Sequence, residues 1–420
     1  MNGEKIMGIK NIKLSNFKSF KKLGIELGEL NILIGANASG KSNFIQVFKF
    51  LRDITNYGLD NAISMQGGIE YFRNINIGPF EYFSLEITLD QKFFAPIPDE
   101  NQKITMGIRG YETIYKFALK FKEEERFEIY EDKLTQKFDI VRFEDRNMKK
   151  LGDGEIIIFN DQGKLNLDSR IPEGITIKEE NIFFPQLLKL LKGITLEPRA
   201  LLIQPHYGLF LMPFSFFRDI LIFDFDPKLP KMATPITGKA ELEEDGSNLS
   251  IVLKNIIENE EKKRKFSNLV KDLLPFIDDL GIEKFADKSF LFKLREIYAP
   301  KKYLPGSLIS DGTINVIALI IALYFTEKSL IIIEEPERNV HPYLISKVVE
   351  MMKDASKKKQ IIVSTHNPEI VKHVGSENIL LVSRDKEGFS VISRPHEKET
   401  VKEFLKNELG IEDLYVQNLL

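Results

Sequence analysis

A short motif near the start of the chain constrains its fold more than any other feature. Residues 35–42 read GANASGKS and fill every fixed position of the pattern G-x-x-x-x-G-K-[ST]. An aliphatic run at residues 30–34 precedes the motif, and residues 42–51 follow it with helical periodicity. A strand, a glycine-containing loop and a helix in this order predict a phosphate-binding loop. The alternative is a glycine-rich turn that only joins a strand to a helix, but such a turn does not require all four fixed positions.

The residue types of this loop match the chemistry of a triphosphate. Gly35 and Gly40 allow the backbone to wrap around a polyanion with its amide hydrogens pointing inward. Lys41 supplies a positive charge for the phosphates, and the Ser42 hydroxyl is a suitable Mg²⁺ ligand. The loop therefore predicts ATP and Mg²⁺ as cofactors. The predicted nucleotide-binding residues of this segment are Gly35, Asn37, Ser39, Gly40, Lys41, Ser42 and Asn43.

An acidic pair follows an aliphatic run much later in the chain. Residues 329–333 read SLIII, as expected for a strand buried on both faces of a parallel sheet, and Glu334 and Glu335 come directly after it. Since ligands bind at the carboxyl ends of such strands, we expect Glu334 to hold Mg²⁺ and Glu335 to act on the water that attacks the γ-phosphate. Glu337, after Pro336, is expected at the rim. A solvated acidic turn is the alternative interpretation.

Two further segments are typical of one kind of P-loop ATPase. Ser310, Asp311 and Gly312 stand before an apolar stretch and offer a helix start suited to cradling a phosphate. His366 follows another apolar run, where it can hydrogen-bond a γ-phosphate or sense its loss. Either segment alone is uninformative. The order of all four elements along the chain favours an ATPase.

Composition narrows the possible classes of site. The 420-residue chain contains no cysteine, so disulfides, thiol catalysis and cysteine-ligated zinc are excluded, as suits a reducing cytoplasm. A net charge of −3 and a pI of about 6.1 neither favour nor exclude DNA binding, which would need a local basic patch. The start lacks the apolar region of a signal peptide, and the longest apolar run, residues 316–325, is too short to span a membrane. We expect a cytoplasmic protein without membrane insertion.

The length of the chain and its changing periodicity predict an α/β protein with insertions. The expected fold is a P-loop NTPase core with a mostly parallel sheet, an antiparallel β subdomain and a helical insertion. Residues 1–80 and 305–420 are the predicted halves of the ATPase core. Residues 81–179 are the predicted antiparallel subdomain, and residues 180–304 the mainly helical insertion. Within the subdomain, residues 160–163 have the composition of a hairpin turn.

Two charged features of the insertion leave alternatives open. Residues 258–265 carry mixed charges, which is typical of an exposed helix face, and a nucleic-acid contact is the alternative. Asp224 and Asp226 follow an apolar run and resemble a metal-binding pair, but no complementary glutamate cluster accompanies them. Nuclease activity in this chain is therefore not favoured.

With these motifs in order, the chain resembles the ABC-type ATPases of the RecF, SMC and overcoming-lysogenization-defect group, especially the stand-alone ATPases filed under AAA-type domains. Residues 11–20, NIKLSNFKSF, are similar to the strand and Asn-Phe-Lys turn that begin these proteins. The phosphate loop, the Ser310 segment as signature, the acidic pair and His366 follow in the family's order. Residues 245–249, DGSNL, also resemble a recurring family segment. The long heptads of a cohesin-like coiled-coil arm are missing.

The resemblance implies a homodimer that encloses ATP and Mg²⁺ between two subunits. In such a dimer the signature residues 310–312 of one subunit cap the nucleotide held by the phosphate loop of the other. The resemblance also implies that Lys18 reaches the nucleotide and that Gln66 contacts Mg²⁺. Glu334 occupies the position at which most ABC proteins have aspartate.

Two function classes follow from this resemblance. In the first, the protein is an ATP-driven dimerisation switch in DNA maintenance or phage defence, acting alone or with DNA and a separate effector such as a nuclease. In the second, it is the nucleotide-binding subunit of a membrane transporter. The insertions and the RecF-like opening favour the first. ATP-dependent binding of DNA or a nuclease would indicate the first class, and co-purification of a permease the second.

Overall fold

The computed structural model divides the chain into two compact units, each made of separate stretches. Unit 1 comprises residues 1–28, 42–220 and 383–392, and unit 2 comprises residues 29–41, 221–382 and 393–420. The structure describes residues 7–78, 81–98, 104–122, 126–144, 147–173, 195–197, 199–204, 214–395 and 411–416.

Unit 1 contains a large antiparallel sheet. Its strands are β1 (Gly8–Phe17), β2 (Phe20–Glu26), β4 (Phe83–Asp90), β5 (Phe93–Pro98), β6 (Ile104–Lys122), β7 (Arg126–Glu144), β8 (Asn147–Asp161) and β9 (Lys164–Arg170). The strand order is β2-β1-β4-β6-β7-β8-β9, and β5 pairs with β6. Buried and half-buried side chains alternate along β4, as expected when one face of a sheet covers a core. The antiparallel β part of the expected fold class is confirmed by this sheet, whereas the predicted bounds of the subdomain stay a prediction.

The hairpin predicted at residues 160–163 joins β8 to β9. Asp161 pairs with Lys164, so two residues form the turn. These two residues, Gln162 and Gly163, have φ angles of 49° and 89°. Positive φ at both central positions matches the right-handed twist of the strands, which explains why the short polar sequence closes a hairpin here.

The helices of unit 1 pack around a cluster of phenylalanines. They are α1 (Lys41–Tyr57), whose first residue belongs to unit 2, α2 (Leu59–Met65), α3 (Gly68–Phe72) and α4 (Phe214–Arg218). Phe50 of α1 lies 4.7 Å from Phe72 between ring centroids, and Phe72 lies 5.2 Å from Phe17 of β1. Burying these rings fixes α1 against the sheet.

Unit 2 contains the parallel sheet that the aliphatic runs predict. Five of the six strands are β3 (Leu30–Ile34), β10 (Leu221–Phe223), β15 (Leu330–Glu334), β16 (Gln360–Thr365) and β17 (Ile379–Arg384), in the order β10-β15-β16-β3-β17, and the sixth is β18 (Ser390–Ser393). All four neighbouring pairs among the first five are parallel. Every residue of β3 is buried. Because the strands run in register, the residues after β3, β10, β15 and β16 lie at one edge of the sheet.

Helices cover this sheet. They are α5 (Leu249–Ile257), α6 (Glu260–Leu273), α7 (Asp311–Tyr324), α8 (Pro342–Ser356), α9 (Pro368–Val374) and α10 (Ile411–Val416). Residues 313–323 of α7 are all buried, which explains the almost continuous apolar sequence of this helix. The P-loop NTPase fold expected from the sequence is confirmed.

The segment predicted to be mainly helical contains a second small sheet. The strands β11 (Thr234–Pro235), β12 (Ile277–Phe285), β13 (Ser289–Glu296) and β14 (Tyr303–Pro305) form it, whereas α5 and α6 follow the predicted helical periodicity. Phe290, Phe292 and Leu294 of β13 are buried and alternate with more exposed residues, a pattern of period two. Residues 180–194, 198 and 205–213 of this segment lie outside the described residues. The four domain boundaries stay a prediction.

Candidate nucleotide site

The phosphate loop folds tightly between β3 and α1. Gly35 has no room for a side chain, because a Cβ atom there would lie 2.1 Å from the Val382 carbonyl oxygen. Ser39 N donates to Ala36 O at 3.2 Å. Lys41 Nζ donates to the carbonyl oxygens of Gly35 at 2.7 Å and Ala36 at 3.1 Å. The lysine thus turns back over its own loop, with its ammonium group on two backbone carbonyls.

Two carboxylates of the acidic turn act on this lysine. Burial lowers the pKa of Lys41, and the negative charges of Glu335 and Glu337 oppose that shift. Of the other predicted loop residues, Asn37 is exposed, Ser39 and Gly40 are buried, and Gly40 has a φ angle of 119°. The loop therefore places its one cation near the strand-end carboxylates of unit 2.

Four of the predicted residues lie in unit 1. Ser42 is exposed in the first turn of α1. Asn43 Nδ2 donates to Ser19 Oγ at 2.8 Å, so its amide holds the turn between β1 and β2. Lys18 Nζ donates to the Gln66 carbonyl oxygen at 3.4 Å, and burial lowers the pKa of Lys18. The structure thus brings together the two residues that the resemblance assigns to nucleotide and metal.

The Gln66 side chain has an unused acceptor. It is 6% exposed, and Nε2 donates to Gln46 Oε1 at 3.3 Å. Among the described residues, no partner hydrogen-bonds its buried Oε1 atom. A buried amide oxygen without a partner is unfavourable, and a polar ligand would satisfy it.

The acidic turn presents Glu335 to a histidine. β15 ends at Glu334, and the chain then turns at Glu335, whose φ angle is 45° and whose N–H donates to Ser364 O at 2.9 Å. Glu335 Oε1 lies 3.0 Å from His366 Nδ1, and Arg338 Nη2 donates to Glu335 Oε2 at 3.2 Å. The structure therefore brings the candidate base and the candidate switch residue into direct contact.

The expectation that Glu337 faces the rim is wrong. Glu337 is 8% exposed, and Thr365 Oγ1 donates to its Oε1 atom. Thr365 Oγ1 in turn accepts the N–H of Asn367 at 2.9 Å. Burial raises the pKa of Glu337, and within the described part of the chain its Oε2 atom has no hydrogen-bond partner. The carboxylate is buried because the turn after Pro336 folds back toward the end of β16.

The signature segment begins α7. Ser310 is exposed, and its side chain caps the helix by accepting the Thr313 N–H at 3.2 Å. Asp311 pairs with Lys231. A Cβ atom at Gly312 would lie 2.3 Å from the Asn339 carbonyl oxygen, so only glycine permits this close approach.

A buried asparagine ties the signature helix to the acidic turn of the same subunit. Asn315 of α7 is 2% exposed, and its Nδ2 atom donates to Pro336 O at 3.2 Å and to Arg338 O at 2.7 Å. Together with the Gly312 contact, these bonds fix the position of the turn relative to α7.

Sequence reasoning missed Arg338, Thr365 and Asn315. A Glu-x-x-Arg spacing directly after a buried strand was an available signal for Arg338, because a tight turn brings such residues together. Asp224, considered as one of a metal-binding pair, instead accepts from Arg338 Nη1 at 2.9 Å. The described residues contain no group of three or more His, Cys, Asp or Glu side chains arranged to hold a metal.

The donors predicted for Mg²⁺ are of a suitable type. Ser42 offers a hydroxyl, Glu334 a carboxylate and Gln66 a buried amide oxygen without a partner among the described residues. Mg²⁺ prefers oxygen ligands and is held in phosphate-transfer sites by a few protein oxygens together with substrate phosphates. Each of these donors is therefore of a kind that this ion accepts.

Two family models divide the chain between them. One, described as "AAA ATPase domain", matches residues 7–190, which include the phosphate loop. The other, described as "AAA domain, putative AbiEii toxin, Type IV TA system", matches residues 223–372, which include the signature segment, the acidic pair and His366. Both models describe AAA domains, and the chain is an ATPase.

This ATPase is similar to parts of known proteins. Endonuclease GajA of Bacillus cereus (strain VD045) is 36% identical over 58 residues, which are 13% of this chain and 10% of that protein. The chain thus matches about a tenth of the length of this curated relative.

Solved SMC head domains align along most of the chain at low identity. The SMC head bound to the C-winged helix domain of ScpA is 16% identical with a TM-score of 0.48, covering 92% of this chain and 97% of that chain. The SMC head domain from Thermotoga maritima is 14% identical with a TM-score of 0.41, covering 92% of this chain and 98% of that chain.

No helix in the described ranges is both long enough and apolar enough to cross a membrane.

Proposed function

We propose that this ATPase is a nucleotide-driven dimerisation switch that acts in DNA maintenance or phage defence. One observation carries the proposal. At the carboxyl edge of the parallel sheet, Glu335 lies 3.0 Å from His366, and the charge of Glu335 acts on Lys41 of the phosphate loop. Lys41, Glu335 and His366 all belong to unit 2, which supports the roles of phosphate cation, base and sensor that we propose for them.

Each residue has a definite part in this proposal. Lys41 leaves the carbonyl oxygens of Gly35 and Ala36 and binds phosphate oxygens, while loop amides and the amino end of α1 complement the remaining charge. Glu335 orients the attacking water and accepts its proton. His366, held at Glu335, hydrogen-bonds the γ-phosphate and reports its loss. Mg²⁺, held by Ser42 and Glu334, would neutralise charge on the phosphates.

The exposed signature segment supports a dimer. Ser310 stands exposed at the amino end of α7, where the helix dipole favours an anion. In the proposed dimer this end caps the nucleotide bound by the partner. ATP then joins the subunits, and hydrolysis separates them.

Similarity to an endonuclease supports a role with nucleic acid. The match to GajA covers only 58 residues, which is too short a basis for assigning nuclease activity to this chain. We therefore propose that a separate nuclease effector and DNA are its partners. The relatives reported above are not transporter subunits, and the transporter alternative is not favoured.

A variant without the base tests the switch. Glu335→Gln removes proton acceptance but leaves the phosphate contacts, so we expect ATP binding without turnover and accumulation of a dimer with ATP. Size-exclusion chromatography with and without ATP and Mg²⁺ measures this, and turnover is followed by phosphate release. Glu350→Gln, an exposed change on α8, serves as the control and should behave as the wild type.

The same samples identify partners. Mass spectrometry of proteins that co-purify with Glu335→Gln, together with DNA-binding assays with and without ATP, tests the proposed nuclease and DNA. Unchanged turnover in Glu335→Gln would refute the assignment of the base. A protein that stays monomeric with ATP would refute the switch.

A further inference from the structure

The Arg338 side chain bridges the candidate base to a neighbouring strand. Its Nη2 atom donates to Glu335 Oε2 at 3.2 Å, and its Nη1 atom donates to Asp224 Oδ1 at 2.9 Å and to Phe225 O at 3.2 Å. The planar guanidinium thus connects the acidic turn to the residues that follow β10. A rigid fork of this kind sets the orientation of the carboxylate that it binds.

Asp224 stands beside the acidic pair because of strand order. β10 is parallel to β15, and Phe223 pairs in register with Ile333. Asp224, which follows Phe223, therefore lies level with Glu334, which follows Ile333 in the neighbouring strand. Its N–H donates to Glu244 O at 2.9 Å, which fixes the backbone at this point.

The DGSNL segment, residues 245–249, stabilises the loop whose Glu244 carbonyl accepts the Asp224 N–H. Asn248 is buried, its Oδ1 atom accepts from Glu243 N at 2.8 Å, and its Nδ2 atom donates to Lys239 O at 3.0 Å and Glu241 O at 2.7 Å. One buried amide thus fixes three backbone groups of this loop. The segment therefore has a structural role in placing the partner of Arg338.

These ion pairs contribute little to stability. The side chains of Asp224, Arg338 and Glu335 are 58%, 40% and 32% exposed, and pairs open to solvent typically contribute less than about 1 kcal/mol. An orienting role explains their arrangement better. His366 contacts Oε1 of Glu335 and Arg338 contacts Oε2, so both oxygens of the carboxylate are fixed.

We propose that Arg338 and Asp224 are positioning residues for ATP hydrolysis, with Arg338 holding the Glu335 carboxylate and Asp224 holding Arg338. The inference rests on the proposed function of Glu335 as the base. A carboxylate has about four lone-pair sites, so Glu335 keeps acceptor capacity for a water proton while Arg338 and His366 occupy one site each. Removing the fork leaves the base free to rotate away from the water.

Kinetics of Arg338→Gln, Asp224→Asn and the double variant test the proposal. We expect kcat to fall about 10- to 100-fold in Arg338→Gln, because small misplacement of a catalytic group has effects of this size. Asp224→Asn should lower kcat to a smaller extent. The double variant should match Arg338→Gln alone, because Asp224 acts through the arginine. ATP affinity should stay within about twofold of the wild type, because neither residue binds the phosphates.

Two further variants separate orientation from charge and from general damage. Arg338→Lys keeps the charge but cannot bridge both carboxylates, so we expect it to remain as slow as Arg338→Gln. The matched control is the pair Arg295 and Asp278 on β13 and β12, which are also part-exposed and lie 2.7 Å apart. Arg295→Gln and Asp278→Asn should leave kcat unchanged.

Several results would overturn the inference. They are a wild-type kcat in Asp224→Asn or Arg338→Lys, additive losses in the double variant, or an equal fall in kcat and ATP affinity. Failure of the underlying function looks different, since Glu335→Gln itself would then retain turnover. A dead Glu335→Gln combined with fully active Asp224→Asn and Arg338→Gln would reject only the positioning role.

Discussion

Lys41 illustrates how single residues of the loop are prepared for a polyanion. Its ammonium group is half-buried and donates to the carbonyl oxygens of Gly35 and Ala36, which are neutral partners. Burial lowers the pKa of Lys41, so its charged form is less favourable there than in water. A phosphate would supply the negative partner that the carbonyls do not.

Lys41→Ala should lower ATP affinity by about tenfold or more, since a hydrogen bond to a charged group contributes roughly 1.5–3 kcal/mol. Titration with ATP in the presence of Mg²⁺ measures the loss. Lys254→Ala, which removes a half-buried lysine paired with Glu258, is the control and should bind ATP as the wild type. Equal affinity of Lys41→Ala and the control would contradict the phosphate role of the lysine.

At the scale of elements, α7 and the acidic turn form one packed piece of unit 2. Gly312 approaches Asn339 O too closely for any side chain, and Asn315 donates to two carbonyl oxygens of the turn. We therefore expect any movement of the signature segment to move the turn that carries Glu335. A dimer contact at α7 would in this way reach the proposed base, Glu335, of the same subunit.

In unit 1, a buried aspartate connects two elements. Asp132 of β7 accepts from Tyr115 Oη of β6 at 2.9 Å and from Leu202 N at 2.9 Å. Burial raises the pKa of Asp132 from 3.8 to about 7, although its hydrogen bonds oppose the shift. Since the folded pKa is the higher one, Asp132 favours the folded state fully below about pH 4, and this contribution is lost as the pH rises through 7.

The stability of the wild type relative to Asp132→Asn should therefore fall by roughly 4 kcal/mol between pH 4 and pH 8. Urea unfolding of both proteins across this pH range measures the difference. Asp168→Asn, an exposed change on β9, should follow the wild type at every pH. A constant difference between wild type and Asp132→Asn would exclude a titrating aspartate at this position.

At the scale of the whole molecule, both units are assembled from distant stretches of the chain. Unit 2 contains both residues 29–41 and residues 221–382, so the phosphate loop and the acidic pair belong to the same unit. In the sequence they are separated by residues 42–220, which belong to unit 1. The proposed dimer adds a further level, because the exposed Ser310 of one subunit would complete the site of another.

Ser310→Arg places a long cation at the proposed dimer contact. We expect ATP binding to persist, whereas the ATP-dependent dimer and ATP turnover should be lost, because the signature can no longer approach a partner. Light scattering and phosphate release with ATP measure these effects. The substitution also removes a helix cap, which costs about 1 kcal/mol.

Asn259→Arg controls for the lost cap, because Asn259 caps α6 by accepting from Lys262 N at 3.0 Å. This variant should lose similar stability but keep the dimer and the turnover. If Ser310→Arg dimerised at the same ATP concentration as the wild type, this result would argue against a signature contact between subunits.

Much of the fold was predictable because it depends on local patterns. The buried run of β3, the hairpin turn at Gln162 and Gly163, and the aliphatic sequence of β15 each identify an element without knowledge of the rest. The hairpin β12–β13 was missed because the helical interpretation, which is correct for α5 and α6, was continued past the end of α6 into β12. The predicted roles of the site residues stay predictions, although the structure places Lys41, Glu335 and His366 at one sheet edge.

The sequence by itself determined the phosphate loop, the acidic strand end and the signature segment, since short motifs specify backbone conformation and residue type over a few positions. Only the tertiary structure decided the burial of Glu337 and the link from Asp224 through Arg338 to Glu335. These contacts depend on the order β10-β15-β16-β3, which places distant strands side by side. Long-range packing decides which strands lie next to each other in a sheet, and no local pattern of residues encodes that order.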